Sequence, residues 1–186
     1  MGLLDLLPWR KKAVDVSTAY VALVKQARTP TLYGDTKAPD TVDGRFDILA
    51  VHVHIVLRRL RQEGVARDEI GQSLFDLFFA DMDQAMRESG VGDLGVGKRI
   101  RKMAQAFYGR ASAYDEAMGK AAPAEAGCVG ALTGVLTRNL DPNGARDNAE
   151  TAQGMAELAQ YLVSLEAHLA QQSVDDILAG KGFVSF

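Results

Sequence analysis

Two apolar stripes run side by side along residues 70–88 of the sequence. At about 100° per residue, as on an α-helix, the first stripe contains Ile70, Leu74, Leu77, Phe78 and Ala85, and the second contains Phe75, Phe79, Met82 and Met86. Polar residues occupy only the remaining side of the segment. Because one packing contact needs a narrower stripe than this, the segment is predicted to be a central helix of a bundle or a helix that keeps one stripe for a partner.

Apolar residues recur at helical spacing in the rest of the chain as well. The predicted helical segments cover about residues 14–28, 43–63, 68–89, 96–118, 123–139 and 145–172. No segment alternates between apolar and polar residues as a half-buried strand does. With 186 residues, the chain is long enough to bury about 70% of its unfolded surface. These features predict an all-α, single-domain bundle of about six helices.

Composition excludes several classes of protein. The single cysteine, Cys128, excludes an internal disulfide framework and a thiol-rich metal site. The formal net charge of −3 argues against a general nucleic-acid binder, and we expect no DNA partner. No nucleophile elbow, P-loop, dinucleotide fingerprint or zinc motif is present in the sequence. We therefore predict a protein that is not an enzyme and that has no cofactor and no metal site.

Residues 1–12, MGLLDLLPWRKK, form a leader that precedes the predicted helical domain of residues 13–186. Its leucine and tryptophan side chains, followed by Arg10, Lys11 and Lys12, resemble a short interfacial anchor that suits anionic headgroups. The alternative is a leader that packs on its own domain or takes no fixed structure.

One carboxylate, that of Asp81, falls inside an apolar stripe, between the angular positions of Leu74 and Leu77. A carboxylate in such a position is costly unless it is paired and hydrogen-bonded. We therefore predict a structural ion pair between Asp81 and Arg99 or Arg110 of the following helix. The alternative is a catalytic role, in an enzyme whose enclosed polar pocket is built on Asp81 and Tyr108.

A run of basic residues, Lys98, Arg99, Arg101 and Lys102, stands near the predicted start of its helix. The helix dipole repels cations at that end, so the run carries a small local cost. This cost favours a role in binding an acidic partner, RNA phosphates or lipid headgroups. Lys98, Arg101 and Lys102 are the candidate basic contacts with a partner, and a solvated surface balanced by nearby carboxylates is the alternative.

Two histidines, His52 and His54, stand two residues apart on one predicted helix and lie on opposite flanks of its apolar stripe. A single metal ion bound from a regular helix needs ligands three or four residues apart. Histidines at the boundary of the core are therefore predicted. The alternative function is a haem- or lipid-binding helical carrier, with a pocket near His52 and Tyr108.

Several short blocks resemble one protein family when they are taken in chain order. They are Phe46-Asp47-Ile48-Leu49 with His52, Leu74-Phe75-Asp76, Asp81-Met82-Asp83, Gly90-Val91-Gly92-Asp93-Leu94-Gly95-Val96, Lys98-Arg99, Phe107-Tyr108-Gly109-Arg110, Tyr114-Asp115 and Arg138-Asn139-Leu140. They are similar to the ubiquinol–cytochrome c chaperone family, the assembly factors of the cytochrome bc1 complex. Two positions depart from the family pattern: His54 stands where a bulky aromatic residue is expected, and Gly97 where proline is expected.

The resemblance implies a chaperone that binds newly made cytochrome b as its client. It also implies that a small accessory protein or the ribosome acts as a further partner. We expect a bacterial member of the family that is cytoplasmic and peripheral on the inner face of the plasma membrane, in contact with anionic lipid. The second stripe of residues 70–88, formed by Phe75, Phe79, Met82 and Met86, is the predicted apolar surface for the client, because methionine-rich surfaces adapt to varied partners.

Overall fold

Seven α-helices and one 3₁₀ turn are found in the computed structural model, which describes residues 14–62, 64, 68–88, 90–119, 124–125 and 127–183. The α-helices are α1 Ser17–Ala27, α2 Val42–Arg61, α3 Asp68–Glu88, α4 Asp93–Met118, α5 Val129–Leu140, α6 Ala149–Ala170 and α7 Val174–Leu178. The described residues form no strand beyond an isolated β-bridge between Tyr33 and Ala38. The predicted all-α, single-domain bundle is confirmed, and its count of about six helices omits only the short α7.

α2 lies at the centre of the bundle. Every residue from 46 to 56 is buried, and α1, α3, α4, α5 and α6 all pack against this helix. A helix buried on all sides is usually apolar all round. α2 instead buries five polar or charged residues, Asp47, His52, His54, Arg58 and Arg59. Other parts of the bundle supply polar partners for all five.

α3 occupies a less central place and packs against α1, α2 and α4. Leu74 and Phe78 of its first stripe are buried, and each such side chain contributes about 1.5–3 kcal/mol to folding. Ala85, which the spacing assigns to the same stripe, is exposed because it lies in the last turns of the helix, beside an open cleft. The sequence pattern allows α3 to be the central helix of the bundle, but α2 occupies that position.

Only α3 begins at its predicted residue; α1, α5 and α6 begin three to six residues late, and the starts of α2 and α4 also differ. α2 is capped by Thr41, whose hydroxyl accepts a hydrogen bond from the Gly44 N–H at 3.1 Å, although Asp43 is also of a residue type that can cap a helix. α4 begins at Asp93, about three residues early, with the Gly92 carbonyl accepting from the N–H groups of Gly95 and Val96. The basic run that follows therefore lies about one turn farther from the helix N-terminus than expected, where the dipole repels it less.

The segment between α1 and α2 is held against the bundle at two glycines. A Cβ at Gly44 of α2 would stand 2.1 Å from the Pro39 carbonyl oxygen, and a Cβ at Gly154 of α6 would stand 2.2 Å from that of Thr36. Only glycine permits a backbone to approach this closely. The segment therefore packs directly on both helices and forms one wall of the cleft described below.

No helix among the described residues is both long enough and apolar enough to cross a membrane. Cys128, at the start of α5, is buried, and its burial raises the pKa of the thiol. The predicted leader, residues 1–12, and the predicted helix start at Pro123 lie outside the described residues.

Candidate partner-binding site

Aromatic side chains of α3 pack against aromatic side chains of α4 and join the two helices. The Phe75 ring stands 4.7 Å from that of Phe79, 5.4 Å from that of Phe107 and 5.6 Å from that of Tyr108, measured between centroids. These separations suit attractive contacts between aromatic rings. Tyr108 lies on the outer side of the cluster and is 62% exposed, which is unusual for so large a side chain. The cluster therefore presents an aromatic surface that its own chain leaves uncovered.

The four residues of the predicted client surface lie along the α3–α4 interface. Each of Phe75, Phe79, Met82 and Met86 is half-buried, and the first three pack against the core. Their outer parts remain accessible. They are thus neither ordinary core residues nor a fully exposed patch, and their role in binding a client stays a prediction.

A cleft of about 900 Å³ opens beyond the two methionines. Its walls come from the end of α1, the segment after it, the start of α2, the end of α3, the first and middle parts of α4 and the end of α5. The apolar part of its lining includes Val24, Phe46, Leu49, Met82, Met86, Val91 and Met103. Volumes of about 300–1,000 Å³ are typical of ligand sites, so the cleft is large enough to hold a ligand or a short segment of a partner.

Basic side chains line the same cleft. The charged members of the lining are Arg28, Asp43, Arg45, Asp47, Arg99, Lys102 and Arg110. Arg45 is paired with Asp40 at 2.6 Å, and Arg110 with Asp47 at 2.9 Å. Arg28, Arg99 and Lys102 are exposed and form no ion pair with any described residue.

The pair between Asp47 and Arg110 lies in the lining of the cleft and joins α2 to α4. Burial raises the pKa of Asp47 to about 6, although the Arg110 guanidinium opposes the shift. The same guanidinium stands 5.8 Å from the centre of the Phe46 ring, close enough for a cation–π contact. Arg110 is therefore held by two residues of α2.

These contacts correct the predicted ion pair of Asp81 with Arg99 or Arg110. Asp81 instead accepts a hydrogen bond from the Tyr20 hydroxyl of α1 at 2.8 Å. Burial, together with this carboxylate, raises the pKa of Tyr20. Helical spacing places Asp81 against the bundle but does not reveal which helix covers it, and α1 rather than α4 supplies its partner.

A second charged cluster, which the sequence does not reveal, joins α2 to α4 and α6. Arg58 Nε stands 2.5 Å from Glu166 Oε1, and Arg58 Nη1 stands 2.6 Å from Asp115 Oδ1. His54 Nε2 stands 3.1 Å from the same Asp115 oxygen. Burial alone would raise the pKa of Asp115, but its contacts with His54, Arg58 and Arg61 lower it below its usual value. Arg58 and Glu166 are almost fully buried, so we assign this cluster to the stability of the bundle.

His52 is buried inside the bundle rather than at the boundary of the core. Its Nδ1 donates to the Ile48 carbonyl at 2.7 Å, and its Nε2 accepts from the Tyr161 hydroxyl at 2.9 Å. This tautomer follows from the carbonyl, which can only accept. Burial lowers the pKa of His52 to about 4. Because both ring nitrogens are engaged, the arrangement does not support the alternative of a haem carrier built on His52.

The side chains that could bind a metal ion, namely those of histidine, cysteine, aspartate and glutamate, are dispersed in the part of the chain that the structure describes. Within the described ranges, no three of them are grouped closely enough to hold a metal ion. Asp81 faces α1, Tyr108 faces outward from the aromatic cluster, and neither lines the cleft. The pocket that an enzyme built on these two residues needs is therefore not formed between them.

A model of the ubiquinol–cytochrome c chaperone family matches residues 35–185, which is most of the chain. The chain belongs to this family. A solved relative agrees: the crystal structure of the Cbp3 homolog from Brucella abortus is 34% identical, with a TM-score of 0.72 over 89% of this chain and 85% of that one. The resemblance that the short sequence blocks predict is confirmed.

Two curated relatives of the family are similar over part of their length. They are the ubiquinol–cytochrome c reductase complex assembly factor 1 proteins of Xenopus laevis and Mus musculus, at 24% and 25% identity. Each match spans 118 residues and 62% of this chain. The matched part makes up 59% of the frog protein and 40% of the mouse protein.

Several residues that carry the likeness to the ubiquinol–cytochrome c chaperone family meet around the cleft. They come from α2, α3, α4, α5 and the connection between α3 and α4, and they are Phe46, Asp47, Leu49, Met82, Val91, Arg99, Arg110, Asn139 and Leu140. Of the two positions that depart from the family pattern, His54 contacts Asp115 and lies beside the Tyr114 ring. Gly97 lies exposed within α4.

Proposed function

We propose that the protein is a non-enzymatic assembly chaperone of the cytochrome bc1 complex that binds newly made cytochrome b at the α3–α4 surface. Family membership supports the assembly role, as do the names of the two curated relatives. The observation that carries the choice of surface is the exposed Tyr108, whose ring lies against the half-buried Phe75. An aromatic side chain left open beside other apolar residues is typical of a protein-binding surface.

The chemistry of the surface suits a client that is destined for a membrane. Newly made membrane segments expose apolar side chains, which aromatic rings and thioethers can cover. Phe75, Phe79, Met82 and Met86 place such groups along one line of α3, and each is partly accessible. Because methionine side chains are unbranched and flexible, this line can repack around segments of different shape.

The basic residues of α4 extend the same surface. Lys98, Arg101 and Lys102 are exposed and form no ion pair with the residues that the structure describes. A row of cations with no internal partner suits anionic lipid headgroups or ribosomal RNA. We also propose that the protein is bacterial and cytoplasmic, and that these cations hold it peripherally on the inner face of the plasma membrane. A small accessory protein or the ribosome belongs to the same proposal as a further partner.

Crosslinking in the native host tests the client and the surface together. The tagged protein is crosslinked and purified from the membrane fraction, and cytochrome b is identified among the recovered proteins. Tyr108→Asp is compared with Val21→Asp, a matched control on α1 whose native side chain is similarly exposed, at 67% against 62%. We expect cytochrome b with the wild type and the Val21 variant, and a large loss with the Tyr108 variant.

Each other result has a definite meaning for the proposal. Equal recovery of cytochrome b with both variants would keep the client but show that Tyr108 is not part of its surface. No cytochrome b with the wild type, together with normal amounts of the bc1 complex in a deletion strain, would overturn the proposed function.

A further inference from the structure

We propose that the cleft between α1, α2, α3 and α4 binds an amphiphile that has one anionic headgroup and an acyl chain. The class includes fatty acids and anionic phospholipids. The cleft shares Met82, Met86 and Lys102 with the proposed client surface but does not include Tyr108, and the inference does not require that cytochrome b be the client. Two properties of the lining carry it, namely an apolar wall and an excess of positive charge.

The apolar wall suits an acyl chain. Met82, Met86 and Met103 contribute three half-buried thioether side chains to the lining, and Val24 and Leu49 contribute aliphatic groups. Flexible methionine side chains adapt to a chain that has no fixed shape. An acyl chain inside the cleft would also remove the exposed surface of these residues from water, which is favourable at about 25 cal/mol per Å².

The charge of the cleft is opposite in sign to that of the whole chain. Five basic and two acidic side chains line it, whereas the chain as a whole carries a formal net charge of −3. Arg45 and Arg110 are ion-paired, which leaves Arg28, Arg99 and Lys102 as the excess positive charge. A cleft with an excess of one sign of charge between low-dielectric walls concentrates ions of the other sign. The ligand that the cleft attracts is therefore anionic.

Two of the unpaired cations are placed to bind one headgroup together. Arg99 and Lys102 are three residues apart on α4, so they are neighbours on the same side of the helix. Both are exposed at the cleft, with no ion pair among the described residues. Arg28, at the end of α1, adds a third unpaired cation from another wall. A carboxylate or phosphate can accept charge-assisted hydrogen bonds from such donors.

The size of the cleft favours an amphiphile over a long helix of a client protein. A volume of about 900 Å³ falls within the range of small-molecule sites. An α-helix is about 10–12 Å wide with its side chains, so roughly two turns of it would fill this volume completely. The cleft therefore fits an acyl chain with its headgroup better than it fits a long helix.

Fluorescence titration of the purified full chain with dansyl-labelled undecanoic acid tests the inference. We expect saturable binding of one probe per chain, with an emission increase and blue shift as the probe enters the apolar wall. Oleate should displace the probe, and oleyl alcohol, which lacks the charge, should not. Lysophosphatidylglycerol and lysophosphatidylcholine, tested separately as competitors, show whether a phosphate with a net negative charge serves as well as a carboxylate.

A matched pair of charge-reversal variants locates the site. Arg99→Glu with Lys102→Glu changes two cations that line the cleft, and Lys98→Glu with Arg101→Glu changes two exposed cations of the same helix that do not. The first pair should weaken probe binding at least about tenfold, because it replaces donors to the headgroup with repelling carboxylates. The second pair should change it by less than about threefold, since only the general field differs. Circular dichroism verifies that both variants are folded.

Several results would overturn the proposal. These are non-saturable binding, equal effects of the two variant pairs, or displacement by oleyl alcohol as effective as that by oleate. If the probe fails to bind and only the first variant pair loses cytochrome b on crosslinking, the cleft takes a client segment and not an amphiphile, while the proposed function stands. If the probe binds as expected and cytochrome b is never recovered, the amphiphile site stands and the proposed function fails.

Discussion

His52 illustrates how single polar residues are accommodated inside α2. Its ring is buried, its two nitrogens bond to Ile48 and Tyr161, and the Tyr161 hydroxyl also accepts from Gln26 at 2.9 Å. This chain of bonds connects α1, α2 and α6 without any net charge. A buried network of this kind is favourable only while every member keeps its partner. Protonation of His52 would remove its acceptor, since both nitrogens of a charged imidazole donate.

Acid is therefore expected to destabilise the protein through His52. Its pKa is about 4 in the folded protein and 6.5 as an ordinary value, so only the unfolded state takes up this proton between those limits. The free energy of unfolding falls as the pH is lowered from about 6.5 to about 4, by up to roughly 3 kcal/mol from this residue. Above that window His52 is neutral in both states, and its contribution is constant.

Urea unfolding across this pH range measures the effect, and comparison with His52→Gln isolates it. The comparison is needed because Asp47 acts in the opposite direction. Its pKa is raised to about 6, so the folded state takes up that proton first and gains stability as the pH falls through the same window. The Gln variant should lose the part of the pH dependence that His52 supplies. Parallel profiles for the two proteins would contradict the prediction.

At the scale of helices, three N-termini carry the same kind of cap. The side-chain oxygens of Thr41, Asn148 and Ser173 accept from backbone N–H groups in the first turns of α2, α6 and α7, at 2.8–3.1 Å. These bonds satisfy donors that a helix start otherwise leaves without a partner. The caps at Asn148 and Ser173 also mark where the connections before and after α6 end.

Substitutions at the start of α2 distinguish its cap from the neighbouring carboxylate. Thr41→Ala should lower the free energy of unfolding by about 1 kcal/mol, because the Gly44 N–H loses its acceptor. Asp43→Ala should cost only a few tenths of a kcal/mol, from weaker interaction with the helix dipole. Chemical denaturation of the two variants measures the difference. The reverse order of stabilities would show that Asp43 caps the helix.

Helical periodicity predicts those elements whose polar and apolar sides separate clearly. α3, α4 and α6 are such helices, and the turn at Asp141–Gly144 follows from its residue types, with the Gly144 N–H bonded to the Asp141 carbonyl at 3.0 Å. α7 contains only five residues, too few to show a helical period, and is not predicted. Local sequence thus predicts where most helices lie, but not their ends to better than a few residues.

Contacts between distant segments limit the prediction of the core and of the site. Asp47, His52 and Arg58 interrupt the apolar pattern of α2, and their partners lie on α4 and α6, far along the chain. Met82 and Met86 are predicted as partner-binding residues from their spacing, the flexibility of methionine and the family resemblance. The cleft beside them depends on the packing of α1 and its following segment, which no local pattern reveals.

Across the whole molecule, the pair of Arg58 and Glu166 holds the two sides of the bundle together. Glu166 is fully buried, and Arg58 is 1% exposed while also bonding to the Gly119 carbonyl at the end of α4. Such a pair contributes little net stability compared with apolar residues of the same size. Removing one partner alone is strongly destabilising, because the other charge then stays buried without compensation.

Arg58→Met is expected to destabilise the protein by about 3–5 kcal/mol, since it leaves the Glu166 carboxylate buried and unpaired. Adding Glu166→Leu to that variant should restore a large part of the loss. Denaturation of the wild type, both single variants and the double variant gives the coupling energy directly. A double variant no more stable than Arg58→Met would show that the loss comes from packing and not from the unpaired charge.

Because Cys128 is buried, its thiol is not presented at the surface of the native protein. It is the chain's only cysteine, and its thiol is both covered and, with its pKa raised by burial, mostly in the less reactive protonated form. Maleimides and other thiol reagents therefore have no accessible target on the native protein. A reporter dye or photocrosslinker can be attached at one chosen position through Tyr108→Cys or Val21→Cys, with no need to remove the native cysteine first.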